Sequence, residues 1–253
     1  MSWALNKSAL TSVALAGMAL TGLVGASAAR AEPAIVVKST MSEYPVGSKI
    51  DDEATITLGS GDTLSVFTRR GSRSMRGPGT FVVGANPKSN RSRFTNLKRR
   101  RASTRSEAGA VRGSAPVGSE RVARPNLFSV DVERSGRVCL SGTQDVVLWR
   151  GSTGQAATYL VNGPGLTAPV AVGFDSQTET APPEEQPLAL TGGVTYTIIG
   201  GQAGESPTLT TASVTIIDLG QDYARADQLA QAFVDNGCMA QFEIMGDRLV
   251  ADN

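Results

Sequence analysis

The sequence predicts a mainly β protein, with a small N-terminal β domain, a larger β-sandwich-like domain and a short C-terminal helical element. Three observations carry this. Short apolar runs alternate with polar residues at period two, glycine is abundant at 28 of 253 residues and clusters between those runs, and the period turns helical only after Asp222. Aromatic residues make up only 5% of the chain, so its packing has to come from aliphatic strands joined by tight turns.

Residues 1–31 read as an export signal. Lys7 gives a positive start, Ala9 to Gly25 is apolar and small, and Ala29-Arg30-Ala31 fits the A-x-A cleavage pattern. The apolar run is interrupted by Ser12, Gly17 and Thr21, and it is short of the roughly 20 residues of a bilayer span. A cleaved signal therefore fits better than a membrane anchor, and the mature chain is expected to begin near Glu32 in the periplasm or outside the cell. No arginine pair precedes the run and no lipobox cysteine follows it. No second apolar run approaches a bilayer's thickness, so no membrane span is expected in the mature chain.

Residues 32–84 read as strands and turns. Ala34–Val37, Ala54–Leu58, Thr63–Thr68 and Thr80–Val83 are the strands; Gly59–Asp62, Gly71 and Gly77-Pro78-Gly79 are the turns. The string GSKIDDEATITLGSGDTLSVFTRRGSRSMRGPGTFVV, residues 47–83, resembles the β repeat of FecR-like periplasmic domains. It is also similar to the first half of exported proteobacterial proteins that carry the same GDTL and GPGTF pieces. The resemblance implies a periplasmic domain that contacts a ligand or a protein, and it identifies no binding residue. The cytoplasmic helix and single span of FecR-type sigma-factor regulators have no counterpart here, which argues against direct sigma regulation.

Residues 85–126 are of another kind, a basic linker or arm. Lys88, Arg91, Arg93, Lys98, Arg99, Arg100, Arg101 and Arg105 lie in an 18-residue stretch that holds no acid and one aromatic, Phe94. Like charges repel and resist compaction, so the segment reads either as a solvated linker or as an arm that contacts a polyanion. A short helix between Leu97 and Arg105, formed on contact with a partner, is compatible with the composition. Lone Phe94 is too little for a base-stacking platform, which argues against sequence-specific nucleic-acid binding. The arginine run is also a protease target.

Residues 127–218 make the second β region, with strands at Leu127–Val132, Arg137–Leu140, Asp145–Arg150, Gln155–Val161, Pro169–Phe174, Val194–Ile199 and Thr208–Ile217. Seven strands at this spacing suggest a sandwich. The distance from Cys139 to Trp149 is that of an immunoglobulin core, but no cysteine stands two positions after Tyr196, so a true immunoglobulin domain is not expected. In residues 219–253, Asp222 is expected to cap a helix whose apolar face is Ala226, Leu229, Ala230, Phe233 and Val234, and Gly237 to end it. Met239 to Val250 is open between helix and strand.

Charge is balanced in total and divided along the chain. Residues 69–137 hold seventeen Arg and Lys against four acids, while residues 138–253 hold three against thirteen. The basic segment thus has a possible partner inside its own chain. Two cysteines, Cys139 and Cys238, in an exported chain favour a disulfide over two separately buried thiols. Closing a loop of ~100 residues stabilises by about 4.7 kcal/mol in the chain-entropy model.

Histidine is absent, which removes the commonest general base and any Ser-His-Asp or Cys-His arrangement. The serine acyl-enzyme and phosphate-loop patterns are missing too. Two carboxylate clusters remain, Asp51-Asp52-Glu53 in a turn and Glu184-Glu185 between prolines, and both read as solvated acids; Asp51 and Asp52 are also calcium-type ligands, without EF-hand spacing. No cofactor and no catalytic residue is assigned. These observations describe an exported, non-enzymatic binding or signalling accessory of the cell envelope, contacting an envelope protein or an anionic envelope polymer. The alternatives are a secreted, carboxylate-dependent, carbohydrate-active hydrolase and a structural or adhesive surface component.

Overall fold

The structure, a computed structural model, describes residues 32–98, 127–181, 188–202 and 208–250. The packing sets Ala31–Asn253 apart as one compact unit. Among the described residues the fold is mainly β with three short helices, two of them C-terminal.

The N-terminal sheet has the order β2-β1-β4-β5, from β1 (Ala34–Ser39), β2 (Lys49–Ile50), β4 (Thr63–Thr68) and β5 (Gly71–Arg76). A second ribbon pairs β3 (Thr55–Leu58) with β6 (Gly79–Val82). Ala34, Val36, Leu64 and Val66 bury one face of the sheet with Ile56 and Leu58 of the ribbon, while Ile35, Val37 and Phe67 bury the opposite face in a different core. The unbroken apolar run at the start of β1 follows from this, because a strand buried on both sides has no polar face. β5 carries the sequence GSRSMR, which has no apolar alternation, and the sequence shows a turn there rather than a strand.

The C-terminal sheet has the order β11-β10-β12-β13-β8. Its strands are β8 (Gly136–Leu140), β10 (Ala157–Asn162), β11 (Val170–Phe174), β12 (Thr195–Gln202) and β13 (Thr208–Asp218). Neighbours are antiparallel except β13 and β8, which run parallel. The period-two reading holds: Tyr159, Val161, Tyr196, Ile198, Val214 and Ile216 are buried, while Thr158, Leu160, Ile199, Thr211 and Ser213 between them are exposed. Leu127–Val132 and Val146–Arg150 are buried throughout and form only the two-residue parallel pair β7 (Val130–Asp131) and β9 (Leu148–Trp149).

Three helices complete the unit: α1 (Arg91–Lys98), α2 (Ala226–Asp235) and α3 (Met239–Leu249). Gly237 (φ +70°) ends α2; its amide donates to Val234 O at 3.1 Å, and the Cys238 amide donates to Phe233 O at 2.8 Å. These two bonds are a Schellman closure. The start of α2 differs from expectation. Arg225 occupies the N-cap without a side-chain hydrogen bond that caps the helix backbone, and Asp222 turns instead to Lys98. Of Met239 to Val250, open in sequence, Met239–Leu249 is helical and Val250 is its C-cap.

α2 and α3 contact β1, and α3 also contacts β8, so the helical element joins the two sheets in one core with Ile35, Val37 and Phe67 on one side and Val138, Cys139 and Leu140 on the other. On β1, Val36 and Lys38 oppose Val66 and Ser65, which leaves Val37 as an extra residue. There α3 comes so close that a Cβ at Gly246 would lie 2.5 Å from Val37 Cγ1.

Candidate functional site

The basic segment begins inside the fold. Its first part, expected as a linker or arm, is bound to β5: Ser72 N donates to Lys88 O (2.9 Å) and Lys88 N donates to Ser72 O (2.8 Å). A side chain at Gly71 would put its Cβ 2.0 Å from Lys88 O, so glycine is what lets the two backbones meet. Asn90 then leads into α1, where Phe94 and Leu97 are buried in the shared core and Arg91 and Arg93 are exposed. The described helix occupies 91–98, where Phe94 and Leu97, three residues apart, are its apolar anchors; residues 99–105 of the expected Leu97–Arg105 helix lie outside the described residues.

The chain leaves α1 and returns at nearly the same point. Leu127 N donates to Leu97 O at 3.3 Å, so the ends of residues 98–126 are joined through the backbone. The base of this loop is fixed from below by Gln241 of α3, which is fully buried. Its Nε2 donates to Leu127 O (2.6 Å) and to Cys139 O (2.7 Å), and its Oε1 accepts from Cys139 N (2.7 Å). One side chain therefore satisfies the open edge of β8 and ties it to the loop base. Next to it lies the Cys139–Cys238 disulfide (S–S 2.00 Å, Cα–Cα 6.0 Å), which joins β8 to the start of α3 as the sequence favours.

Of the candidate contact residues, Lys88, Arg91, Arg93 and Lys98 are described; Arg99, Arg100, Arg101 and Arg105 lie outside the described residues. Lys98 is occupied within the chain. Its Nζ is 2.7 Å from Asp222 Oδ1, donates to Tyr223 O and stands 4.9 Å from the centre of the Phe94 ring. This is one contact between the basic segment and the acidic C-terminal region.

Two buried polar groupings lie elsewhere. Arg150 is fully buried beneath the sheet, donating to Thr178 O (2.9 Å), Gln155 O (2.7 Å) and Asp175 O (2.6 Å), with Phe174 against its guanidinium at 5.2 Å. Close by, Tyr159 donates to Glu133 Oε1 at 3.3 Å, and its pKa is pushed up to about 12 by burial first and by Glu133 second. These contacts tie loops 151–156 and 175–180 together. At the other end, Asp52 is partly buried, and its pKa is raised by that burial and by Asp51, Asp227 and Glu32, against the pull of Arg70. Asp51 and Glu53 are exposed, and Glu184 and Glu185 lie outside the described residues. Among the described residues no group of three or more His, Cys, Asp and Glu is placed to hold a metal ion, and no helix is long and apolar enough to cross a membrane.

The Gln241-centred loop base had no signal in the sequence, since a buried glutamine on an ambiguous segment looks like any surface glutamine. The helix before it did have one: Asn90 ahead of an apolar pair three residues apart fits a capped helical turn. No family model, curated protein or solved structure matches the chain.

Proposed function

We propose that the chain is an exported, non-enzymatic binding or signalling accessory of the cell envelope, FecR-like in its first β region, which presents the basic segment as a loop to an anionic envelope surface. The observation that carries this reading is the closed loop base. A linker that holds domains apart has distant ends, whereas residues 98–126 start and finish at Leu97 and Leu127, whose backbones are hydrogen-bonded. Seven arginines and two acids lie in residues 99–126, so the segment between these joined ends carries a net positive charge. Export is supported by the A-x-A pattern and by a buried disulfide suited to an oxidising compartment.

The test is sedimentation of the mature chain, from Glu32 onward, with vesicles containing lipopolysaccharide or anionic phospholipid. The comparison is a variant with Arg99, Arg100, Arg101 and Arg105 changed to Gln; Lys98 is left in place because it holds Asp222. Binding that falls in the variant and falls as salt rises supports the loop as a polyanion contact. Equal binding by both chains rejects it.

A further inference from the structure

β10, β11 and β12 contain no charged residue, and β13 has only Asp218, at its last position. Their inward side chains fill the shared core, which leaves an uncharged outer face on four adjacent strands. That face is open: Leu160 is 46% exposed, Ile199 40% and Leu209 77%. A sheet face in water ordinarily carries polar and charged groups, as the N-terminal sheet does with exposed Lys38, Lys49 and Arg76. The strand register sorts the uncharged face into rows about 6.7 Å apart, two residues along each strand. One row runs Ala171, Leu160, Ile199, Thr211 across β11, β10, β12 and β13, and the next runs Gly173, Thr158, Gly201, Leu209. Within each strand, therefore, one row has the larger residue and the other the smaller. A Cβ at Gly173 would meet nothing within 4 Å, so the low position there is open space.

We propose that this face is the contact between two copies of the chain, related by a two-fold axis that runs between the two rows and parallel to them. A half-turn about that axis lays each row of one copy on the other row of the second copy. Ile199 then stands over Gly201 of the second copy, Leu160 over Thr158 and Leu209 over Thr211, so each large aliphatic side chain meets a smaller residue. Leu160 and Ile199 lie on the two middle strands, where the turn of about 30° between aligned sheets displaces them least. The two sheets close a β-sandwich across the axis. Absence of charge is what permits this, because a two-fold contact sets each group near its own twin and like charges there would repel. Four strands about 4.8 Å apart and four rows make a face of roughly 500 Å². Two copies thus cover about 1,000 Å², the lower limit of a specific interface, so the dimer is a weak and reversible one. Neither the export reading nor the basic loop enters this inference.

The experiment is sedimentation equilibrium of the chain from Glu32 onward across about 5–500 µM, a range that brackets a weak interface. A monomer–dimer equilibrium is expected, and it should hold or tighten as salt rises, because the contact is apolar. Ile199→Lys sets an ammonium group at the centre of the face and should weaken association at least about tenfold, as should Ile199→Glu. The axis brings residue 199 of both copies to within about 7 Å of each other, one row apart. An equimolar mixture of the Lys and Glu variants should therefore associate again at low salt, which chains that had merely unfolded would not do. Leu209→Lys, at the most exposed of the three aliphatic positions, repeats the weakening at a second point. A chain that stays monomeric throughout the range overturns the inference, as does a dimer that Ile199→Lys leaves unchanged. Dissociation by salt would assign the contact to the basic and acidic regions of two copies, and failure of the two variants to restore one another would place residue 199 away from the axis; either result also overturns it.

Discussion

Gln241 shows what one side chain does at the loop base. Its amide meets three buried backbone groups, the N–H and C=O of Cys139 and the C=O of Leu127. Gln241→Leu keeps the approximate volume and leaves all three without partners, so it should destabilise the fold by about 2–4 kcal/mol, read as a lower urea midpoint at unchanged slope. An effect within about 0.5 kcal/mol, as for an ordinary surface site, would reject this role. Tyr159 carries a different prediction, through its proton. Its folded pKa of about 12 stands above the unfolded value of 10.0, so the folded state keeps a proton that the unfolded state releases between those limits. Stability from this group is fully present below pH 10 and falls as pH rises towards 12, with a slope of about 1.4 kcal/mol per pH unit. Tyr159→Phe should flatten that alkaline limb in a urea titration across the window; an unchanged limb would assign it to other groups.

At the scale of elements, legibility followed burial geometry. β10, β12 and β13 have one buried and one exposed face, and their period-two pattern showed in the sequence. β5 stayed hidden because polar contacts hold it: Ser74 Oγ meets Ser65 Oγ at 2.9 Å, and Arg73 reaches the carbonyl oxygens of Val82 and Val83 on the neighbouring ribbon. Leu127–Val132 reads as an alternating strand yet lies wholly buried with only two paired residues, and its other backbone groups find single partners instead of a ladder: Leu127 N donates to Leu97 O, Leu127 O accepts from Gln241, and Val132 N donates to Trp149 O. The end of α2 was legible because glycine at a left-handed position has a local cause, while its start was not, because Asp222 found a distant partner in Lys98. The disulfide was legible from the cysteine count and the export signal expected in residues 1–31. It closes a sequence separation of 99 residues, and Cys139→Ser with Cys238→Ser should cost about 2–5 kcal/mol. Chemical unfolding of the double variant measures this, and a loss below ~1 kcal/mol would show that Gln241 and the shared core already hold α3 to β8.

The whole molecule turns on how its two β regions are joined. Read as a sequence, the basic segment looked like the only connection between them, and cutting it would then free two independent domains. The shared core gives a different outcome. β1 and β4 are packed with α2 and α3, Ser72 of β5 donates to Leu249 O at 3.1 Å, and Lys38 is 2.8 Å from Asp247. These contacts join residues before the loop to residues after it. Brief trypsin digestion is expected to cut first within the arginine-rich residues 99–126. The nicked protein should keep its native size on gel filtration and its cooperative melting, because the core that spans the cut stays buried. Both cysteines lie after the loop, so the two fragments should part on denaturing gels even without reductant. Two separate species under native conditions would mean that the β regions stand alone and that the segment is a tether. A single species would mean that residues 98–126 are an insertion on a closed frame, free to vary in sequence and charge while the body that presents them stays the same.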